Sequence, residues 1–283
     1  MAITAQMVKE LRDRTGAGMM DCKNALNETD GDLEEAIKFL RTKGLAAASK
    51  KAHRTASDGV VVVEGDEEAM VVLELNCETD FVARNPEFVS FAEELAALAL
   101  SSKATDVAEL IGQAYSGDAA HTVEEAISQR VATIGEKIVL NRLERIEAGS
   151  GNLLNSYIHG GGKIGVVVEG AGGVTPEALH DVALHVAAAE PRFVSREEVT
   201  EDLLETEREI ALKQAVDQGK PEEIAKRIVE GKMEKFFVQE VLLDQAFAKE
   251  TGKSVSEYLK ENVGDDATVV RFVRFKLGEG SGN

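Results

Sequence analysis

Gly160, Gly162 and Gly165 satisfy the G-x-G-x-x-G spacing that lets backbone approach a dinucleotide pyrophosphate at a helix N-terminus. That chemistry needs a strand before the glycines and a helix after them. Here Val166, Val167 and Val168 come next, a strand-type run, so the glycines read as a loop between two strands. Gly252, Lys253 and Ser254 resemble the end of a P-loop, but Phe247 stands where its first glycine belongs, and the phosphate cradle is incomplete. His180 and His185 share a helical stretch at a spacing of five, which does not set both on one face as a spacing of four would. They read as solvated or core-edge histidines. Cys22 and Cys77 lie far apart with no C-x-x-C or Cys/His partner, as expected of partly buried thiols in a reducing compartment. Acid pairs such as Glu93 and Glu94 read as surface charge, and no Ser/His/Asp or Cys/His arrangement has supporting context. The expectation is a binding factor without catalytic residues, metal or cofactor.

One segment stands apart, Asn76-Cys-Glu-Thr-Asp-Phe-Val-Ala-Arg-Asn85. Phe81 sits in a polar loop directly after an apolar strand. Two readings are open. Phe81 could fold back on its own sheet, with Asp80 capping the turn. Alternatively, the strand end presents an aromatic anchor beside an acid, the composition of a binding hot spot, where burying one Phe contributes ~1.5–3 kcal/mol.

The elements that must carry this segment can be read from periodicity. Thr4 can cap a helix bearing Met7, Val8 and Leu11 that stops at Gly16; a second runs near Met20 to Leu26. Asp32 and Glu35 approximate a capping box for a third, with Leu33, Ala36, Ile37 and Leu40 as its stripe and Gly44 as its stop. From Asp58 the period changes: Gly59 to Glu64 and Ala69 to Leu75 are β-rich runs joined by Gly65, Asp66 and Glu67, a hairpin. Pro86 opens a helix to Leu100, and a second helical region is expected near Thr122 to Glu147. Tyr157–Ile158 and Lys163 to Glu169 read as strands before a helix from Pro176 to Glu190, a weak repeat of the first β–α unit. Ser195 to about Glu234, divided at Gln218 to Pro221, reads as a projecting pair of antiparallel helices. Val269 to Leu277 alternates and should return to the sheet. The fold class is therefore α+β, with antiparallel strands. The expected units are 1–54, three helices and a basic linker; 55–148, a first core subdomain; 149–195, the start of a second; 196–235, the inserted helical hairpin; and 236–283, the return segment.

Composition narrows the targets. Hydrophobic residues make up 43% and charged residues 29% of 283, as in a soluble globular protein. No apolar run approaches the ~20 residues of a membrane helix, and the N-terminus has neither the basic nor the apolar block of a leader. The expectation is a cytoplasmic protein. The balance of 32 basic against 51 acidic side chains, net -19, is repelled by phosphate backbones and argues against direct nucleic-acid binding. An acid-free stretch with Arg41, Lys43, Lys50, Lys51 and Arg54 reads first as a linker and second as a local anion contact.

Thr79 to Ala83, with Asn76 and Cys77 before them, resembles a signature of the elongation factor Ts family, guanine-nucleotide exchange factors for the translational GTPase elongation factor Tu. Leu11-Arg12, Arg14 to Lys23, Ala25-Leu26 and Gly31-Asp32 are similar to a second signature, in a domain resembling the ubiquitin-associated three-helix fold. Tyr157 to Gly160 with Ile164-Gly165 resembles a third. The resemblance implies that Asp80 and Phe81, flanked by Thr79 and Val82, insert near the partner's magnesium site. It implies that Arg12, Met19 and Met20 form the N-terminal contact surface and that His159 and Gly160 form a core contact. The alternative for Met19 and Met20 is core filling, but adjacent residues cannot both face one core, so at least one should be exposed. The chain departs from the family in Ala246, where Pro is common, and in Lys163, where Arg is common. It also departs in ending at Ser281 to Asn283, where many members continue into an amphipathic helix; that C-terminal contact is expected to be absent. Self-association through the helical hairpin stays open.

Overall fold

A computed structural model describes residues 2–115, 121–218 and 221–279 of the protein. Thr4 accepts a hydrogen bond from the Met7 amide and opens α1 (Ala5–Thr15), which Gly16 closes in the left-handed region at φ 65°. α2 (Met19–Glu28) and α3 (Leu33–Lys51) complete the N-terminal helices around Val8, Leu11, Cys22, Leu26, Ala36 and Leu40. Asp32 caps α3 by accepting from the Glu35 amide, while the Glu35 carboxylate pairs with Lys38 at 2.7 Å. Gly44 does not stop α3. The helix runs on through it because a later helix crosses there: a Cβ on Gly44 would lie 3.4 Å from the Ser128 carbonyl oxygen. The glycine is a close-approach residue rather than a terminator. The basic stretch is correspondingly helical in its first part, and Arg41, Lys43 and Arg54 pair with Glu125, Asp21 and Glu78.

β1 (Asp58–Gly65) and β2 (Ala69–Cys77) form the expected hairpin, its turn held by the Asp66 carboxylate, which accepts the Glu68 and Ala69 amides. After α4 (Asp80–Ala83), α5 (Pro86–Ser102), α6 (Val107–Ile111) and α7 (Val123–Ile134), the chain departs from the helical expectation. Val139–Glu147 is a strand, β3, antiparallel to β2. The second unit contains β4 (Leu153–His159), β5 (Ile164–Ala171) and α8 (Pro176–Ala189). The hairpin α9 (Glu201–Asp217) and α10 (Glu222–Glu240) comes next, its second helix extending past the expected end at 235. β6 (Ala246–Phe247), β7 (Glu250–Ser254), α11 (Val255–Asn262) and β8 (Thr268–Lys276) complete it. The sheets have strand orders β1-β2-β3 and β4-β5-β8. They pack face to face through Val61, Met70, Val72, Ile146, Leu154, Val167 and Phe275. α5 and α7 cover the outer face of the first sheet, and α8 and α11 that of the second. The protein is α+β.

The repeat seen faintly in the sequence is deeper in the structure. In each sheet the middle strand carries a buried glutamate, Glu74 on β2 and Glu169 on β5. Each is paired with an arginine of the third strand, Arg142 on β3 at 2.6 Å and Arg271 on β8 at 2.5 Å. Both arginines come just after the extra residue of a bulge, Asn141 and Val270. Each arginine then crosses to the other sheet. Arg142 donates to the Lys276 carbonyl at 2.8 Å, and Arg271 to the Glu147 carbonyl at 2.5 Å. The carboxylates are satisfied across the same seam: Glu74 accepts from Gly278 N–H at 2.9 Å and Glu169 from Gly149 N–H at 2.7 Å.

The buried pair and the close approach at Gly44 each have a measurable consequence. Burial raises the Glu169 pKa, but Asn152, the Gly149 amide and Arg271 outweigh it, and the net shift is below the ordinary 4.5. With the folded value depressed, this contribution is complete above the unfolded value and is lost as pH falls through the lower folded value. Urea melts of the parent should therefore weaken in acid, while Glu169→Gln is less stable at neutral pH and the gap closes as pH falls. Gly44→Leu, which pushes α3 off Ser128, should lower stability by about 1–3 kcal/mol in the same melts.

Candidate partner-binding site

β2 ends at Cys77, and two residues later the chain turns into the four-residue α4. Thr79, not Asp80, is the cap: its hydroxyl accepts from the Val82 amide at 3.4 Å. A helix this short has no stability of its own, and contacts from outside hold it. Glu136, in the turn before β3, accepts the Glu78 and Thr79 amides at 3.0 Å and the Thr79 hydroxyl at 2.7 Å. Val82 and Ala83 pack against the core of the first unit. With that face turned inward, Phe81 faces out and is 84% exposed. The self-packing alternative for Phe81 is thereby excluded. Asp80 lies beside it and pairs with Arg84 at 3.3 Å, both side chains substantially open to solvent. Such an exposed i,i+4 pair contributes only ~0.3–0.5 kcal/mol, so Asp80 is readily available to another partner.

Met19 and Met20 head α2, and both are exposed, at 46% and 66%. Arg12 and Met19 line a cleft of about 880 Å³ whose lining also includes Pro86 and Glu87, at the start of α5. The N-terminal helices and the first turn of α5 thus share one cleft. His159 ends β4 and Gly160 opens the β4–β5 turn, both exposed, and Gly160, Gly161 and Gly162 all take positive φ, 62°, 68° and 90°. The turn is fastened to the first unit, since the Val61 amide donates to the Gly162 carbonyl at 2.7 Å. Val61 is three residues along β1 from Asp58, the register partner of Cys77 at the end of β2. The His159 ring is oriented by the Tyr157 hydroxyl, 3.0 Å from Nδ1.

Sequence reasoning missed Glu136 and Arg84. Arg84 is signalled by its i,i+4 spacing from Asp80. Glu136 carries no local signal, because its partners lie almost sixty residues away.

The other chemistry resolves into structure. Gly160 and Gly162 lie in a strand-to-strand turn and Gly165 lies in β5, so a strand rather than a helix comes directly after the turn. Phe247 is buried and stacked on Tyr258 at 4.1 Å, and Ser254 forms a capping box with Glu257 to open α11. His185 is a core residue: Nδ1 accepts from the Ala248 amide at 3.1 Å, and Nε2 lies 2.9 Å from the Gln245 side-chain oxygen. Burial, outweighing that Gln245 contact, lowers its pKa and keeps it neutral. Cys22 and Cys77 are free and fully buried, and burial pushes the Cys77 thiol up to about 12. Among the described residues, no group of His, Cys, Asp and Glu is arranged to hold a metal ion. Likewise, no helix among them is long and apolar enough to cross a membrane.

A family model described as Elongation factor TS matches residues 78–279, from the end of β2 through β8. Over 287 aligned residues the chain is 48% identical to Elongation factor Ts of Clostridium perfringens (strain SM101 / Type A), covering 98% of this chain and 94% of that protein. It is 46% identical, with the same coverage, to Elongation factor Ts of Clostridium botulinum (strain Alaska E43 / Type E3). The match extends over nearly the full length at an identity far above chance, so the chain belongs to the elongation factor Ts family.

Proposed function

We propose that this translation elongation factor acts in the cytoplasm as a guanine-nucleotide exchange factor. It binds GDP-loaded elongation factor Tu and promotes GDP release by inserting Asp80 and Phe81 near the magnesium and nucleotide site. The observation that carries this reading is Phe81, a large apolar side chain held almost fully in solvent by a buttressed helical turn. An aromatic anchor fixed before binding gives its burial energy to the complex without a further ordering cost. Phe81 supplies anchoring area, and Asp80 perturbs hydrogen bonds or metal-linked water in the partner. Thr79 and Val82 hold the pair, while Arg12, Met19 and Met20, together with His159 and Gly160, supply the outer contacts. No cofactor is required, and the acidic surface disfavours direct nucleic-acid contact.

The mechanism is linkage. A wedge that binds the nucleotide-free GTPase better than the loaded one weakens nucleotide binding by the same factor. Equal affinity for both states would shift nothing. Nothing in this scheme requires covalent chemistry, so the protein is a binding catalyst of release rather than an enzyme.

Phe81→Ala should slow stimulated release of a fluorescent GDP analogue by about ten- to a hundredfold, the kinetic equivalent of losing ~1.5–3 kcal/mol of burial. Its melting should be unchanged, since Phe81 touches no core. Asp80→Ala should be impaired less in binding than in maximal release rate. Near-parental acceleration by both variants would sink the wedge.

A second reading, docking through the N-terminal helices alone, is favoured by the exposure of Met19 and Met20. Deleting those helices is a poor test, because α3 packs on α7 across Gly44. Met20→Asp is a better one. Under the exchange reading it raises the half-saturating concentration while leaving the maximal release rate near that of the parent. Under the docking reading it abolishes activity, and Phe81→Ala has no effect.

A further inference from the structure

The wedge segment is held by one carboxylate from outside it. Glu136 uses both oxygens, Oε2 for the Glu78 and Thr79 amides and Oε1 for the Thr79 hydroxyl. With its proton directed to Glu136, the Thr79 hydroxyl turns a lone pair toward the Val82 amide it caps. Lys137, the next residue, reaches the other way. Its amide donates to the Glu78 carboxylate at 2.6 Å, and its Nζ donates to the Ala52 and Arg54 carbonyls at 2.7 and 2.8 Å. Ala52 is the C-terminal cap of α3. Arg54 closes the ring by pairing with Glu78 at 3.2 Å. One two-residue turn therefore grips both the base of the wedge and the exit of the N-terminal helices.

Resting on the reading of Asp80 and Phe81 as an exchange wedge, we infer that Glu136 and Lys137 are positioning residues for it. Glu136 fixes the wedge before the partner arrives, and Lys137 fixes the N-terminal contact surface relative to it. The physical reason is the shortness of α4. Its internal bonds are few: Ala83 N–H to the Thr79 carbonyl and Arg84 N–H to the Asp80 carbonyl, each at 3.1 Å, Asn85 N–H to the Val82 carbonyl at 2.9 Å, and the long cap from Val82. Without Glu136, two amides and a hydroxyl at the wedge base lose a charged acceptor. The segment then samples other conformations and must be ordered on binding, which weakens the complex the wedge is meant to favour. Without the Lys137 bridge, wedge and N-terminal surface remain intact and α3 stays packed on α7, but the direct link from the wedge base to the end of α3 is lost and their spacing is set less closely. Two contacts on one chain reinforce each other only when the geometry lets both engage.

The test uses the full chain and stimulated GDP release. Glu136→Ala should lower the maximal rate by about ten- to a hundredfold, the range expected for losing charge-assisted hydrogen bonds. Glu136→Gln keeps one acceptor oxygen and should fall between. Lys137→Met should raise the half-saturating concentration more than it lowers the maximal rate; an unchanged half-saturation removes Lys137 from the device. In a Phe81→Ala background, Glu136→Ala should add less than about twofold, the margin within which independent effects are read, because the side chain to be positioned is already gone. Amide hydrogen exchange at Glu78, Thr79 and Val82 should rise in both Glu136 variants, with protection elsewhere unchanged. Equal losses in both backgrounds would mean a general structural role and overturn the inference. So would a parental rate for Glu136→Ala while Phe81→Ala is slow. A parental rate for Phe81→Ala would instead overturn the wedge reading and this inference with it. If Glu136→Ala does not fold, Glu136→Gln carries the same comparison.

Discussion

Two buried carboxylates at the seam between the sheets set the geometry of the rest. Glu74 and Glu169 lie almost fully out of solvent, where an unpartnered carboxylate would cost several kcal/mol or take up a proton. Each is made tolerable by an arginine of the neighbouring strand and by N–H donors from the chain that leaves the opposite sheet. A buried pair of this kind adds little net stability compared with apolar residues of the same volume. Removing one partner, by contrast, costs about 3–5 kcal/mol. Its main effect is therefore on register. The arginines reach the carboxylates only because a bulge precedes each of them, and they reach across the seam only when the two sheets face each other in this arrangement. Strand register fixes where β2 ends, and the end of β2 fixes where α4 begins.

The same bulges explain which parts of the fold could be read from residues. The β1–β2 hairpin, the helices opened by Pro86 and Pro176, the helical hairpin and the return strand are given by period and capping, because each is decided locally. β3 is not. Leu140, Leu143 and Ile146 are spaced by three, a helical interval. The extra residue Asn141 puts Leu140 and Leu143 on one face of the strand, within the core under α5 and α7. Ile146 faces the other sheet. A tertiary interaction, the arginine's reach for Glu74, thus overrides the local periodicity. Gly44 fails in the same way: a glycine late in a helical pattern signals a stop unless another helix needs the space, and that helix lies some eighty residues on.

The candidate site divides along the same line. Phe81 is legible as the misplaced residue, an aromatic among polar neighbours, but its direction is not. Direction depends on Val82 and Ala83 meeting the core and on Glu136 seizing the backbone, and both depend on contacts remote in sequence. Arg12, Met19, His159 and Gly160 are legible only through the resemblance. The structure adds that Arg12 and Met19 share a cleft with the start of α5 and that the Gly160 turn is tied to β1.

The two units also show why only one of them bears an outward helical turn. Both run from a buried glutamate on the middle strand to a proline-initiated helix, yet the connection is longer in the first, from Glu74 to Pro86, than in the second, from Glu169 to Pro176. The second connection turns at Gly172 and Gly173, and a Cβ on Gly172 would stand 1.7 Å from the Asp266 carbonyl oxygen. That loop is pressed against the approach to β8 and leaves no room for an outward helical turn. The first connection has room for one, and it is held at its base by Glu136, Lys137 and Arg54 and along its inner face by Val82 and Ala83. The scaffold is thus nearly symmetric in what stabilises it and asymmetric in what it presents. Packing of the two sheet units is carried by their separate cores and the seam between them, so Phe81 stays in water without a part in either core, and the proposed role draws on its ~1.5–3 kcal/mol of burial energy.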